Sequence, residues 1–204
     1  MVKRTVALLI AAMGVLLGVA AAPASAGNAP VGNVPVGPVH ARPVPKVPLL
    51  IDGVRLAPKE ISRFDGRPLY LFVDQRTPDL LVGYTNESEA KAEVARRDAV
   101  ATPMSAGQSI VIYSGDEGHD DSQAIQSGWS VNNLTAVLRG CGLFGCAGNW
   151  NDVISSALMN GNATFYADPN FGGGWLSMWG GSNWRFNMST YGFDNITSSI
   201  NVWW

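Results

Sequence analysis

Trp150-Asn151-Asp152-Val153-Ile154-Ser155-Ser156 and Phe193-Asp194-Asn195-Ile196-Thr197-Ser198-Ser199 are one pattern written twice, 43 residues apart. Each copy has an aromatic residue, two Asn/Asp residues, two aliphatic or β-branched residues and two serines. A single copy would be ordinary turn chemistry, because Asx and Ser side chains bond the backbone of tight turns. Two copies at a fixed offset are an internal repeat, and the offset suits one four-stranded Greek key.

The second copy follows a second signal. Tyr166-Ala-Asp-Pro-Asn-Phe171-Gly-Gly173 spaces two aromatics and then a glycine as a hairpin does where the chain must turn sharply. The corresponding stretch before the first copy, Tyr113-Ser-Gly-Asp-Glu-Gly118, lacks the second aromatic. It also lies farther from its motif: 38 residues separate Tyr113 from Asn151, against 28 from Tyr166 to Asp194. The extra length contains Cys141 and Cys146 and reads as an insertion in the first key.

These residues resemble the βγ-crystallin family and its secreted microbial members. The resemblance covers the C-terminal half and implies an all-β sandwich of two Greek keys over 108–204. It also implies calcium. In the family, each motif gives the carbonyl of its third residue and the hydroxyl of its fifth, while the other motif gives the side chain of its second residue. Carried over, one site would use the Val153 carbonyl, Ser155 and Asn195, and the other the Ile196 carbonyl, Ser198 and Asp152. Hairpin carbonyls near Asp116–Glu117 and Asp168–Asn170 would complete them. Asn151 and Asp194 would brace the loops through backbone amides. The donors are all oxygen, as calcium requires. The Asn195 site carries less negative charge than the Asp152 site, so unequal sites are expected.

The rest of the chain is a different material. Residues 27–100 hold ten Lys/Arg and nine Asp/Glu, whereas 101–204 hold two against seven, net −5. A half with two basic residues has no footprint for nucleic acid. Residues 1–26 read as a signal peptide, with Lys3 and Arg4, an apolar run from Thr5 to Ala22, and the small-residue site Ala24-Ser25-Ala26. A secreted, extracellular protein without a membrane anchor is therefore expected. In that oxidising space Cys141 and Cys146 form an expected disulfide that pins a local turn.

Residues 27–48 read as a Pro-rich linker. Residues 49–100 read as a small α+β accessory segment: a turn at Asp52-Gly53, strands over 68–73 and 80–84, and a helix from Asn86 to Arg97 capped by Thr85 or Asn86. In the C-terminal half, strands are expected around Ser109–Tyr113, Ala163–Tyr166, Trp175–Trp179 and Ile200–Trp203, with one short helical turn near Asn151–Met159.

No nucleophile elbow, zinc helix or phosphate loop occurs. His119 beside Asp120 and Asp121 reads as a solvated acidic turn. Trp175 and Trp179 share a strand face, which favours core over a sugar platform. The leading expectation is a non-enzymatic calcium-binding protein. The alternative is a peptidase inhibitor, by resemblance to the secreted actinobacterial metalloprotease-inhibitor family on this sandwich, with an extracellular protease as partner. A third class is a carbohydrate-binding or toxin-like module.

Overall fold

In the computed structural model, residues 42–99, 109–180 and 183–203 are described; the expected signal peptide and most of the expected Pro-rich linker lie outside them. Asp52 and Gly53 take positive φ (49° and 76°), the conformation a two-residue hairpin turn demands. They join β1 (Leu49–Ile51) to β2 (Val54–Leu56). A 3-10 helix over Pro58–Phe64, unforeseen in the sequence, leads to β3 (Tyr70–Asp74) and β4 (Leu81–Tyr84). Helix α1 (Glu87–Asp98) starts where expected, because the Asn86 side chain accepts hydrogen bonds from the amides of Ser88 and Glu89. In its last turns Arg96 and Arg97 grip the Glu93 carboxylate at 2.6–2.8 Å. The hydrogen bond from Arg96 is the largest effect holding that carboxyl below the usual range, against the opposing effect of burial.

The C-terminal half contains β5 (Ser109–Tyr113), β6 (Ser122–Gln126), β7 (Ser130–Val131), β8 (Leu138–Arg139), β9 (Gly148–Asn149), β10 (Ser156–Met159), β11 (Asn162–Asp168), β12 (Gly172–Trp179), β13 (Trp184–Asn187) and β14 (Ser199–Trp203). Strands β5, β6, β7 and β10 make the first Greek key, and β11 to β14 the second. One sheet runs β13-β10-β5-β6, and the other contains β12-β11-β14-β7. Each key therefore lends its third strand to the other's sheet, so neither closes alone. Between the sheets lie Ile110, Ile112, Ala157, Met159, Phe165, Leu176, Met178, Ile200 and Val202, all buried. Strand alternation puts them there, since residues two apart share a face. The motif aromatics Trp150 and Phe193 are buried in the same core.

The N-terminal segment joins this sandwich by backbone pairing. Strand β3 runs parallel to β12, with Tyr70 opposite Trp175 and Val73 opposite Met178. The second sheet thereby grows to eight strands, β2-β1-β4-β3-β12-β11-β14-β7. On its outer face Tyr70, Phe72, Trp175 and Trp179 form a second cluster against Ala90 of α1. Trp175 and Trp179 are thus core residues, though of the outer cluster rather than the sandwich interior. The last residues of the expected linker are also held: the Lys46 amide donates to the Thr190 carbonyl at 2.8 Å. Pro43 can approach there because a Cβ on Gly192 would lie only 2.5 Å from the Pro43 carbonyl oxygen.

The expected helical turn near Asn151–Met159 does not form. Residues 151–155 are an irregular turn and 156–159 are strand β10. Their backbone groups are taken by neighbouring segments, as in the Ser155 amide bonded to the Tyr113 carbonyl at 3.0 Å. Strands β8 and β9 make the inserted hairpin, closed by the Cys141–Cys146 disulfide. At its tip Leu143 and Phe144 are fully exposed. Among the described residues no helix is long and apolar enough to cross a membrane.

Candidate metal centre

The two motif turns are built alike and locked to each other. Asp152 and Asn195, their second residues, both take a left-handed backbone (φ 54° and 55°), which Asx side chains tolerate. The Asp152 amide then donates to the Thr197 carbonyl at 3.0 Å, and the Asn195 amide to the Ile154 carbonyl at 3.2 Å. Thr197 and Ile154 are the fourth residues of opposite motifs, so the exchange is reciprocal.

This exchange brings second and fifth residues together across the keys. Ser155 Oγ lies 3.4 Å from Asn195 Oδ1, and Ser198 Oγ lies 3.2 Å from Asp152 Oδ1. Both serines are buried, while Asp152 and Asn195 reach the surface. Val153 lines one cavity with Ser155 and Asn195, and Ile196 holds the corresponding third position of the second motif.

The first motif residues differ from expectation. Asn151 Nδ2 donates to Asp152 Oδ2 at 2.6 Å, and Asn195 Nδ2 to Asp194 Oδ2 at 3.2 Å. Asn151 and Asp194 therefore brace the neighbouring side chain rather than backbone amides. Their remaining oxygens, Asn151 Oδ1 and Asp194 Oδ1, are buried without a hydrogen-bond partner. The left-handed residue at each second position turns its side chain back onto the first, which explains the pairing.

The sixth residues, given no role in the sequence reading, fasten each motif to its hairpin. Ser199 Oγ accepts from the Phe171 amide at 3.0 Å and donates to the Asp168 carbonyl at 2.7 Å. Ser156 Oγ does the same to the Gly118 amide (2.9 Å) and the Gly115 carbonyl (2.5 Å). The hairpins match as well: Glu117 and Asn170 share a left-handed kink (φ 54° and 58°). The first hairpin is thus intact despite its departure from the repeat.

Two substitutions make that possible. In the second key, the Tyr166 and Phe171 rings pack edge to face at 5.5 Å, and Gly173 takes φ 71°. In the first key Gly118 replaces the aromatic, and the Arg185 guanidinium fills the space, 5.8 Å from the Tyr113 ring centre and bonded to the Glu117 carbonyl at 2.6 Å. The glycine's position is held by Asp120 (φ 65°). Its carboxylate lies over Gly115, 2.5 Å from where a Cβ would stand. Asp168 lies over Gly173 in the same way, at 2.6 Å. Each hairpin thus keeps one carboxylate over the turn, supplied from opposite limbs.

The first site opens into a cavity of about 540 Å³ lined by Ser114, Asp120, Asp121, Arg139, Val153, Ser155 and Asn195. Glu117 is not among these residues, because its kinked backbone turns its carbonyl to Arg185. Asp120 and Asp121, rather than Asp116 and Glu117, are the acidic residues lining that cavity. Within the cavity Asp121 Oδ2 accepts from Arg139 Nη1 at 2.8 Å. Arg139 and Arg185 are the only Lys or Arg residues beyond position 100, and both touch the first hairpin. Their scarcity is the one signal in the sequence that could have singled them out.

Hydroxyl, amide or carboxylate oxygens and turn carbonyls at these two places would make a hard donor set, which fits calcium. Among the described residues no three His, Cys, Asp or Glu side chains converge, so nothing there resembles a zinc centre.

No protein-family model and no curated protein matches the chain. Solved structures do. One comes from work on the evolution of the eye-lens βγ-crystallin domain fold, at 19% identity and TM-score 0.36 over 49% of this chain and 89% of that one. A βγ-crystallin from an archaeon aligns at 20% identity and TM-score 0.36, over 47% of this chain and 98% of its own. A βγ-crystallin from Ciona intestinalis aligns at 21% identity and TM-score 0.34, over 46% and 98%. The strand order by itself makes the C-terminal half a β-sandwich of two Greek keys, and these βγ-crystallin domains are what that half is similar to.

Proposed function

We propose that this is a secreted, non-enzymatic protein that binds two calcium ions between its Greek keys. The reciprocal placement of Ser155 beside Asn195 and Ser198 beside Asp152 supports the reading most directly. Val153 and Ile196 supply the carbonyls, and the ions tie together keys that already exchange strands. Few carboxylates per site mean modest affinity, towards the micromolar-to-millimolar range of extracellular modules. Calcium titration by calorimetry, on the wild type and on Ser155→Arg/Ser198→Arg, tests the proposal. Saturable heat in the first and none in the second is the expected result. A wild type without calcium heat at millimolar concentrations would end it.

A second reading rests on the inserted hairpin. The disulfide and the Gly142–Gly145 backbone pair hold Leu143 and Phe144 fully exposed on a rigid tip. Such a tip suits insertion into the apolar pocket of an extracellular metalloprotease, and so favours an inhibitor. Its test is titration of a purified metalloprotease with wild type and with Leu143→Asp/Phe144→Asp. Inhibition by the first and not the second supports it, and an unaffected protease rejects it.

A further inference from the structure

We propose that Arg139 is a resident counter-cation of the first site, and that calcium binds there by taking Asp121 from it. The inference rests on the calcium reading above and concerns residues outside the repeated motif.

Arg139 and Asp121 line the same cavity as Val153, Ser155 and Asn195. Asp121 is fixed in place: its amide donates to Ser114 Oγ at 3.2 Å, and its carbonyl accepts from the Ser114 amide at 3.0 Å. Its carboxylate also fits closely against the hairpin stem, since a Cβ on Gly140 would stand 2.7 Å from Asp121 Oδ2. Arg139 donates to that oxygen through Nη1, while its Nε is buried without an acceptor. The guanidinium is thus held by one carboxylate that a hard dication would also claim.

Among the described residues the second site has no such pair. Gly174 occupies the position corresponding to Asp121, and its missing Cβ makes room for the Leu69 backbone carbonyl, 2.6 Å from where the Cβ would be. One site is backed by a charged hairpin and the other by neutral backbone. A unit positive charge about 6 Å from a dication weakens binding about tenfold even at the dielectric constant of water. Arg139 therefore depresses first-site affinity, and filling that site releases the stem of the disulfide hairpin.

Ser198→Arg isolates the first site and Ser155→Arg isolates the second, both read by calorimetry. In the Ser198→Arg background, Arg139→Gln is expected to tighten calcium by about tenfold or more, whereas Arg139→Lys, which keeps the charge, stays within about threefold. Asp121→Asn is expected to weaken that site and leave the second unchanged. A first site that does not tighten in Arg139→Gln, tightens equally in Arg139→Lys, or ignores Asp121→Asn overturns the inference. If the second site still titrates in Ser155→Arg, only the Arg139 inference is lost. If no variant takes up calcium, the calcium reading falls with it. Near-ultraviolet circular dichroism establishes that each variant is folded.

Discussion

Ser198 Oγ stands 3.2 Å from Asp152 Oδ1, although 46 residues separate them in the chain. Its counterpart, Ser155 with Asn195, spans 40 residues at 3.4 Å. A ligand held at either place bridges the two keys and stabilises the folded state by mass action. At a hundredfold excess over Kd, one site adds about 2.7 kcal/mol. Calcium is therefore expected to raise the Tm by about 5–10 °C, and Asp152→Ala to remove the second site's share. Differential scanning calorimetry with calcium and with chelator checks both.

Ser199 is the fastener of the second hairpin, through the Phe171 amide and the Asp168 carbonyl. Ser199→Ala leaves both groups without that partner in a buried setting. A loss of about 1–3 kcal/mol is expected, and urea denaturation with and without calcium measures it. Because Ser199 holds the Asp168 carbonyl, in the loop expected to complete the second site, the loss should be larger with calcium than with chelator.

Arg185 stands in for a missing aromatic ring. Arg185→Ala removes its packing on Tyr113 and its bond to the Glu117 carbonyl. The expected loss is about 1–2 kcal/mol. Urea denaturation of Arg185→Ala beside the wild type checks it. An unchanged midpoint would show that the first hairpin holds itself.

Tyr191 sets an alkaline limit. Its hydroxyl donates to the Pro78 carbonyl at 3.1 Å, and burial, with a smaller effect from Asp79, pushes its pKa up to about 12. A folded pKa above the unfolded value of about 10 means that the unfolded chain loses this proton first. Stability from Tyr191 is thus intact below pH 10 and falls as pH rises from about 10 to 12. Tyr191→Phe should flatten that part of the profile, as read by denaturation midpoints across alkaline pH.

Much of this was legible because the information is local and repeated. The Asx pairs, the terminal serines, the Tyr166–Gly173 hairpin and the Asn86 cap each act within a few residues, and two copies separate pattern from accident. What stayed hidden is long-range substitution. Nothing near Gly118 announces that Arg185, 67 residues on, fills the place of an aromatic. Nothing near Asp121 announces Arg139, because the insertion that presents it has no counterpart in the other key. The pairing of β3 with β12 left no mark either, since both strands are apolar and parallel partners need no shared turn.

That pairing also governs when the molecule can finish folding. Tyr70 finds its neighbour Trp175 only after the intervening sequence exists, so strands β1 to β4 emerge first and wait with one edge bare. Contacts of such sequence separation slow folding, because loop closure must precede the gain. The N-terminal segment is therefore made before the strand it pairs with, and its docking on β12 is expected among the later steps of folding.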